Sequence, residues 1–209
     1  MDALSERCDV LGETWVWWAT TLTDLDARSW SGETRLPGWD VAALAAHATL
    51  LIRGLGFLAS RPLDVEPAIP TAVDMLRRFN EPGGVATTSA EVVADMARRH
   101  AESMSPDELV AMFAVTGPEV VARVEAAGPI VVDYFGNGAV PIVEALSIAV
   151  LEAVVHGLDL CAATGTSSSS IPVAAVAHTV GLLAAIADPA AFIDAATGRG
   201  PTDVLPVMR

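Results

Sequence analysis

A long apolar helical stretch in the last third of the chain constrains its fold most, because three ionisable residues interrupt it at helical spacing. Glu152 and His156 lie four residues apart, and Asp159 follows three residues later. At about 100° per residue these positions share one stripe of a helix that is otherwise mostly alanine, valine and leucine. Burying an ionisable side chain among apolar neighbours is costly unless it is paired or bound to a metal. The stretch therefore predicts a buried helix with a polar partner elsewhere in the chain.

The best partner upstream is His47, which stands alone among apolar residues in the helical run 41–59. Two histidines and one carboxylate are a common ligand set for a catalytic divalent metal that keeps open coordination positions. We therefore predict a metal site made of His47, Glu152 and His156. Asp159 would orient a ligand or act as general acid or base. The spacing suits equally two separate buried histidines, each hydrogen-bonded to a carbonyl or carboxylate, and both interpretations stay open on spacing alone.

Hydrophobic periodicity predicts an all-α fold, a four-helix bundle with additional short helices, in a single domain over residues 1–209. The middle of the chain is expected to form a helical excursion from this bundle. One β-like run, residues 130–135, ends at a Gly-Asn-Gly turn signal and is either a short strand or extended chain. The four long helices are expected at about 3–24, 41–59, 140–163 and 172–187.

Composition limits the partners of the chain. Its 209 residues carry a formal net charge of −14, and all 12 basic residues are arginine. This charge argues against binding to nucleic acid or to anionic membranes. The first residues carry acids where a signal peptide has a basic region, so a cytoplasmic protein with Cys8 and Cys161 as free thiols is expected. Arginine without lysine, beside abundant alanine and valine, suggests a GC-rich genome such as that of an actinobacterium.

Other reactive residues are interpreted as structural. Cys161 falls on a different side of its helix from Glu152 and is predicted to be a small core residue. His178, alone in an apolar helix, is predicted to be a hydrogen-bonded core histidine. Trp15 and Trp18 are predicted to anchor the core, with a place in a ligand pocket as the alternative. The sequence has no nucleotide-binding loop, serine-histidine-aspartate pattern or cysteine-pair zinc pattern.

Two segments carry a resemblance to a known family. Residues 36–47, Leu-Pro-Gly-Trp-Asp-Val-Ala-Ala-Leu-Ala-Ala-His, resemble the PGW-x-V-x-x-L-x-x-H signature of the mycothiol-dependent maleylpyruvate isomerase family. Residues 152–160, Glu-Ala-Val-Val-His-Gly-Leu-Asp-Leu, with Ala-Thr-Gly at 163–165, resemble its second signature, E-x-x-x-H-G-x-D-L…ATG. The likeness extends to about Arg199. The family consists of DinB-like metal-binding four-helix bundles, so the resemblance implies that fold.

The resemblance also implies a chemistry. The residues matching the family's ligands for a divalent metal are His47, Glu152 and His156. Zinc is the usual ion, with nickel and iron as alternatives, and the residue matching Asp159 supports catalysis. Members use mycothiol as cofactor or cosubstrate, and a metal-bound thiol is deprotonated and nucleophilic near neutral pH. Such a thiol would add reversibly to a conjugated double bond in an isomerase, or displace a leaving group in a transferase.

The sequence departs from the isomerase in one respect. The isomerase carries a further C-terminal domain that contributes substrate contacts, including an arginine, whereas this chain ends at Arg209. The resemblance therefore does not carry maleylpyruvate over as the substrate.

Three hypotheses of function follow from these observations. The first is a metal-dependent, mycothiol-using isomerase or S-transferase that acts on a small organic electrophile. The second is a thiol-independent hydrolase, lyase or cyclase on the same fold, and the third is a non-catalytic, metal-stabilised binding or regulatory bundle. A homodimer formed through an apolar helix face is compatible with all three.

Overall fold

The structure, a computed structural model, describes residues 2–203 and 206–208. The first and last residues of the predicted domain lie outside these ranges. The described chain is predominantly helical, which confirms the predicted fold class. The α-helices are α1 (Ala3–Thr23), α2 (Val41–Ala59), α3 (Ala72–Asn80), α4 (Val85–Thr88), α5 (Ala90–Glu102), α6 (Pro106–Ala111), α7 (Gly117–Ala127), α8 (Ile142–Thr164), α9 (Val173–Ile186) and α10 (Pro189–Ala196). Two short strands, β1 (Val131–Asp133) and β2 (Ala139–Pro141), pair antiparallel.

Helix ends follow the local signals in the sequence. The Asp40 side chain caps α2 by accepting a hydrogen bond from the backbone N–H of Ala43 at 2.8 Å. Ser105 and Glu108 form the capping box that starts α6. Gly165 ends α8 with a left-handed φ of 73°, a conformation that glycine adopts without strain. The caps at Asp40 and Gly165 thus set the start of α2 and the end of α8, the two helices that carry the predicted site.

Four helices close the bundle, and one of them differs from the prediction. Helices α1 and α2 each pack against both α7 and α8, so these four surround a common core. The predicted fourth helix, residues 172–187, forms as α9 but packs on the outer side of α8 and against α3. That assignment was therefore wrong. The fourth position belongs to the segment from α6 to α7, which was predicted to lie outside the bundle.

The segment from α6 to α7 fills this position because it stays helical without a break from Pro106 to Ala127. A π-helical turn, Met112–Thr116, joins the two helices ahead of Pro118. Proline has no N–H to donate, and a π turn shifts the backbone hydrogen bonds without ending the helix. Gly117 lies against Trp15, where an added Cβ would come within 2.9 Å of the ring atom Cε3. The glycine thus allows close packing of this helix on α1.

The bundle core is built around large rings and two very apolar helices. Trp15 and Trp18 are buried, which confirms their predicted core role, and Trp18 donates its indole N–H to the carbonyl of Ala153 at 3.0 Å. Helices α2 and α8 are long and apolar enough to cross a membrane. However, 67% of the apolar window in α2 and 72% of that in α8 are buried within the bundle. The need for a core therefore accounts for their composition.

We expect His178 to make the fold sensitive to acid. Its ring is hydrogen-bonded to the backbone of Ser147, but Nε2 is buried without a partner among the described residues. The predicted hydrogen-bonded core histidine is therefore satisfied at one nitrogen only. Burial, reinforced by the charge of Arg7 and opposed by Glu6, lowers the pKa of His178 to about 4. The folded state thus binds fewer protons than the unfolded state below pH about 6.5.

Stability that is present above pH about 6.5 is therefore expected to be lost as the pH falls toward 4, by roughly 1 kcal/mol, because solvent screens the charge of a half-buried ring. His178→Gln should remove this part of the pH dependence. Urea denaturation at pH about 7 and about 4.5 gives the loss of unfolding free energy on acidification for the wild type and for His178→Gln. The loss in the wild type should exceed the loss in the variant. Equal losses of unfolding free energy in the two proteins would contradict the assignment.

Candidate metal centre

The three predicted ligands lie together between α2 and α8. These helices run antiparallel, so the middle of α2, with His47, faces the second half of α8. The candidate ligand atoms of His47, Glu152 and His156 all lie within 4.8 Å of one another. We call these three side chains the donor cluster. The side chain of Glu152 is 30% exposed and that of His156 is 13% exposed, so the cluster lies at the edge of the core with access to solvent.

The helical spacing on α8 orients the His156 ring through both of its nitrogens. Nε2 lies 3.4 Å from the Glu152 carboxylate one turn earlier. Nδ1 lies 3.1 Å from Oδ2 of Asp159, one turn later. The ring is therefore held between two carboxylates from its own helix. Only the first of these carboxylates belongs to the donor cluster, and the second supports the ring from behind.

Arg35 completes this arrangement from the loop that precedes α2. Its Nε and Nη2 donate to the same oxygen, Oδ1 of Asp159, at 3.0 and 2.7 Å. The Asp159 side chain is only 7% exposed, whereas that of Arg35 is 57% exposed. Arg35 was not among the site residues predicted from the sequence. Its only local signal is a charged residue directly before the Leu-Pro-Gly-Trp segment.

Trp39 forms an aromatic wall beside the two histidines. Its ring meets that of His47 edge to face, with centroids 5.0 Å apart at 80°. It lies nearly parallel to the ring of His156, with centroids 6.4 Å apart at 15°. The two imidazoles are themselves perpendicular, at 89° and 5.0 Å. The tryptophan of the first signature therefore contacts both histidines directly, a role that its position in the sequence did not reveal.

Electrostatics divides the histidines into one neutral and one charged ring. Burial, reinforced by the charge of His156, lowers the pKa of His47 to about 4. Burial also opposes charge on His156, but the hydrogen bonds to Asp159 and Glu152 outweigh it and raise the pKa to about 9. Burial likewise opposes ionisation of both carboxylates, yet contact with His156 holds their pKa values below the usual range. At neutral pH the positive charge of His156 thus lies between the carboxylates of Glu152 and Asp159.

The donor cluster fits a divalent cation. Nδ1 of His47 is buried and has no hydrogen-bond partner among the described residues. One candidate ligand atom from each of the three side chains lies within 4.8 Å of the other two, close enough for a single divalent ion to be bound by all three. Three protein ligands leave at least one coordination position open, which is typical of catalytic sites. The predicted site residues are thus brought together as expected, and Asp159 lies directly behind them.

A cavity of about 810 Å³ opens on the outer side of Trp39, and none of the residues that line it belongs to the donor cluster. The segment 33–40 and the first turn of α2 form one wall, and Arg98 with its neighbours on α5 forms the other. Arg35 and Trp39 line this cavity and also contact residues of the site. The space is large enough for a small organic molecule.

The cysteines take no part in this site. Both are unpaired, as predicted, and both are buried, which was predicted only for Cys161. Burial raises the pKa of Cys8 to about 11 and also raises that of Cys161. Thiols in this state are weak nucleophiles. Any reactive thiol at the donor cluster would therefore have to come from a bound molecule.

Taken together, the helix arrangement and the donor cluster define the class of DinB-like four-helix bundles. The chain belongs to the family of the mycothiol maleylpyruvate isomerase N-terminal domain, whose family model matches residues 11–161. This range contains the donor cluster together with Arg35 and Asp159. No curated protein sequence matches the chain.

Solved structures agree with this placement at the level of the fold. The chain is similar to the crystal structure of the mycothiol-dependent maleylpyruvate isomerase, with a TM-score of 0.58 and 18% sequence identity over 91% of this chain and 72% of that one. A histidine-to-alanine mutant of that isomerase gives a TM-score of 0.57 and 17% identity with the same coverage. At this identity the similarity concerns the arrangement of helices.

Proposed function

We propose that this protein is a metal-dependent enzyme in which mycothiol attacks a small organic electrophile, as an isomerase or an S-transferase. His47, Glu152 and His156 would bind the metal ion, with zinc the leading candidate and nickel or iron as alternatives. The observation that carries this proposal is the donor cluster itself, with its unpaired buried Nδ1 on His47, in a member of this family. The unpaired, buried cysteines favour a reducing, cytoplasmic setting.

The ion would supply one chemical function: it lowers the pKa of a bound thiol, so that the thiol is nucleophilic near neutral pH. The chain's own residues prepare this position. His47 is already neutral at neutral pH and ready to donate a lone pair. His156 must release a proton before it can bind an ion, so metal binding is coupled to pH. Glu152 contributes the negative charge that partly compensates the cation.

We assign Asp159 to positioning. Its carboxylate accepts from Nδ1 of His156 and from Arg35, so both of its oxygens are occupied. This contact fixes the tautomer of His156 that presents Nε2 to the ion. A carboxylate that is nearly buried and paired on both sides, with a lowered pKa, is poorly placed to exchange protons with a substrate. Trp39 covers the histidine rings and limits access of water to them.

The proposal is tested by assaying the zinc-loaded protein with mycothiol and two electrophiles. Maleylpyruvate probes isomerisation, and monochlorobimane probes thiol transfer through displacement of its chloride. We expect product formation with at least one electrophile to require both zinc and mycothiol. Glu152→Ala should abolish this activity, whereas His178→Gln, a matched polar change on α9 outside the site, should retain it at neutral pH. Turnover that proceeds equally without thiol would overturn the mycothiol part of the proposal.

A further inference from the structure

The β1–β2 turn lies at the end of the metal centre opposite Trp39. Because α2 and α8 are antiparallel, the pair of Arg35 and Asp159 marks one end of the site, near the start of α2. At the other end Tyr134, the first residue of the turn, is buried, and the ring of the next residue, Phe135, lies against Gly54 of α2. Burial and, secondarily, the charge of Glu152 raise the pKa of this tyrosine. The donor cluster is thus bordered by aromatic residues at both ends.

Phe135 holds an unusual backbone conformation in this turn. Its φ is +52°, and it is the only non-glycine residue with a positive φ in the described part of the chain. Hydrogen bonds maintain the turn: Asn137 donates its side-chain amide to the carbonyls of Tyr134 and Phe135 at 3.1 and 3.3 Å. The phenyl side chain is nevertheless 50% exposed. Strain of this kind at a half-exposed ring points to a function rather than to core packing.

Gly54 provides the surface on which this ring rests. A Cβ added to Gly54 would come within 2.7 Å of Cζ of Phe135, so only glycine allows the ring to lie where it does. Gly54 follows His47 by seven residues, which places both on the same face of α2, two turns apart. The ring of Phe135 therefore covers the face of α2 that continues from the donor cluster. Tyr134 supports it, with ring centroids 4.9 Å apart at 66°.

We propose that Phe135, held by Gly54 and Tyr134, forms an apolar subsite of the metal centre and selects electrophiles with a planar apolar group, aromatic or alkenyl. The inference rests on the proposed function, because it needs a ligand at the metal ion. A ligand anchored at the ion and extended along α2 toward Gly54, two helical turns or roughly 10 Å from His47, would meet this ring. Planar groups pack well on the face of such a ring, whereas a methyl group leaves it uncovered. Phe135 is therefore a determinant of specificity.

Two metal-chelating probes test this inference on the zinc-loaded protein. Acetohydroxamate and benzohydroxamate chelate zinc through the same group and differ in a methyl against a phenyl substituent. The preference for benzohydroxamate, measured by calorimetric titration, is expected to fall about five-fold in Phe135→Ala, with acetohydroxamate affinity unchanged. Gly54→Ala, whose Cβ displaces the ring, should give the same loss. Phe135→Gly removes the ring and relieves the strained φ, so its melting temperature separates loss of the subsite from loss of fold.

Phe57→Ala is the matched control. Phe57 is a phenylalanine on α2 of nearly equal exposure, 49%, but its ring is covered by the guanidinium of Arg61 at 4.5 Å. It should leave the benzohydroxamate preference unchanged. An unchanged preference in Phe135→Ala at full zinc content would overturn the inference and leave the proposed function intact. A wild-type chain that binds no metal would overturn the proposed function, and the subsite with it.

Discussion

His47→Ala and His156→Ala are each expected to reduce zinc content from about one ion per chain to less than about one tenth, because two remaining ligands bind zinc weakly. The measurement is elemental analysis of protein purified without a histidine tag and dialysed against zinc-free buffer. Thermal unfolding with and without added zinc gives an independent readout. Only a variant with the full donor cluster should gain stability from the metal.

The control for both variants is His178→Gln, which removes a histidine of similar helical setting on α9 and should retain the full zinc content. Loss of zinc in this variant as well would indicate a general effect on the fold. A wild-type chain that is metal-free and gains no stability from zinc, nickel or iron would contradict the ligand assignment. The donor cluster would then be two hydrogen-bonded histidines and a carboxylate, the interpretation that spacing alone left open.

Asp159→Ala is expected to have the second largest effect among these substitutions. It should lower both the affinity for zinc and the stability of the metal-free protein. Without the carboxylate, the His156 ring loses the acceptor that fixes its tautomer, so zinc affinity should fall roughly 10- to 100-fold. The metal-free protein should also lose about 1–3 kcal/mol of unfolding free energy, since the Nδ1–H of His156 is left without a partner in a nearly buried position. Competition with a chelator measures the first loss, and urea denaturation of metal-free protein measures the second.

Arg35→Ala separates these contributions. Asp159 keeps its hydrogen bond to His156 in this variant, and the Arg35 side chain is 57% exposed, so the lost ion pair is largely screened by solvent. We expect a stability change below about 1 kcal/mol and a smaller loss of zinc affinity than in Asp159→Ala. Equal effects of the two substitutions would show that Asp159 acts mainly through its pairing with Arg35.

The sequence by itself predicted most of the helices and the three candidate donors. Helical spacing on α8 is local geometry, so Glu152, His156 and Asp159 share one stripe whatever the rest of the fold does. Asp40 begins α2 and Gly165 ends α8, each through local hydrogen bonds to the backbone that the residue type predicts. The choice of His47 as the third donor followed from the cost of burying a lone imidazole, and the two family signatures contain all three donors.

The tertiary structure alone decided which helix completes the bundle and what surrounds the donors. The π turn before Pro118 keeps the segment from α6 to α7 helical, and packing against α1 and α2, not helix propensity, selects it over α9. Arg35 reaches Asp159 across 124 positions of the chain. Phe135 reaches Gly54 across 81 positions. Such contacts depend on the antiparallel packing of α2 and α8 and on the paths of the loops between helices, and a local sequence pattern carries no information about either.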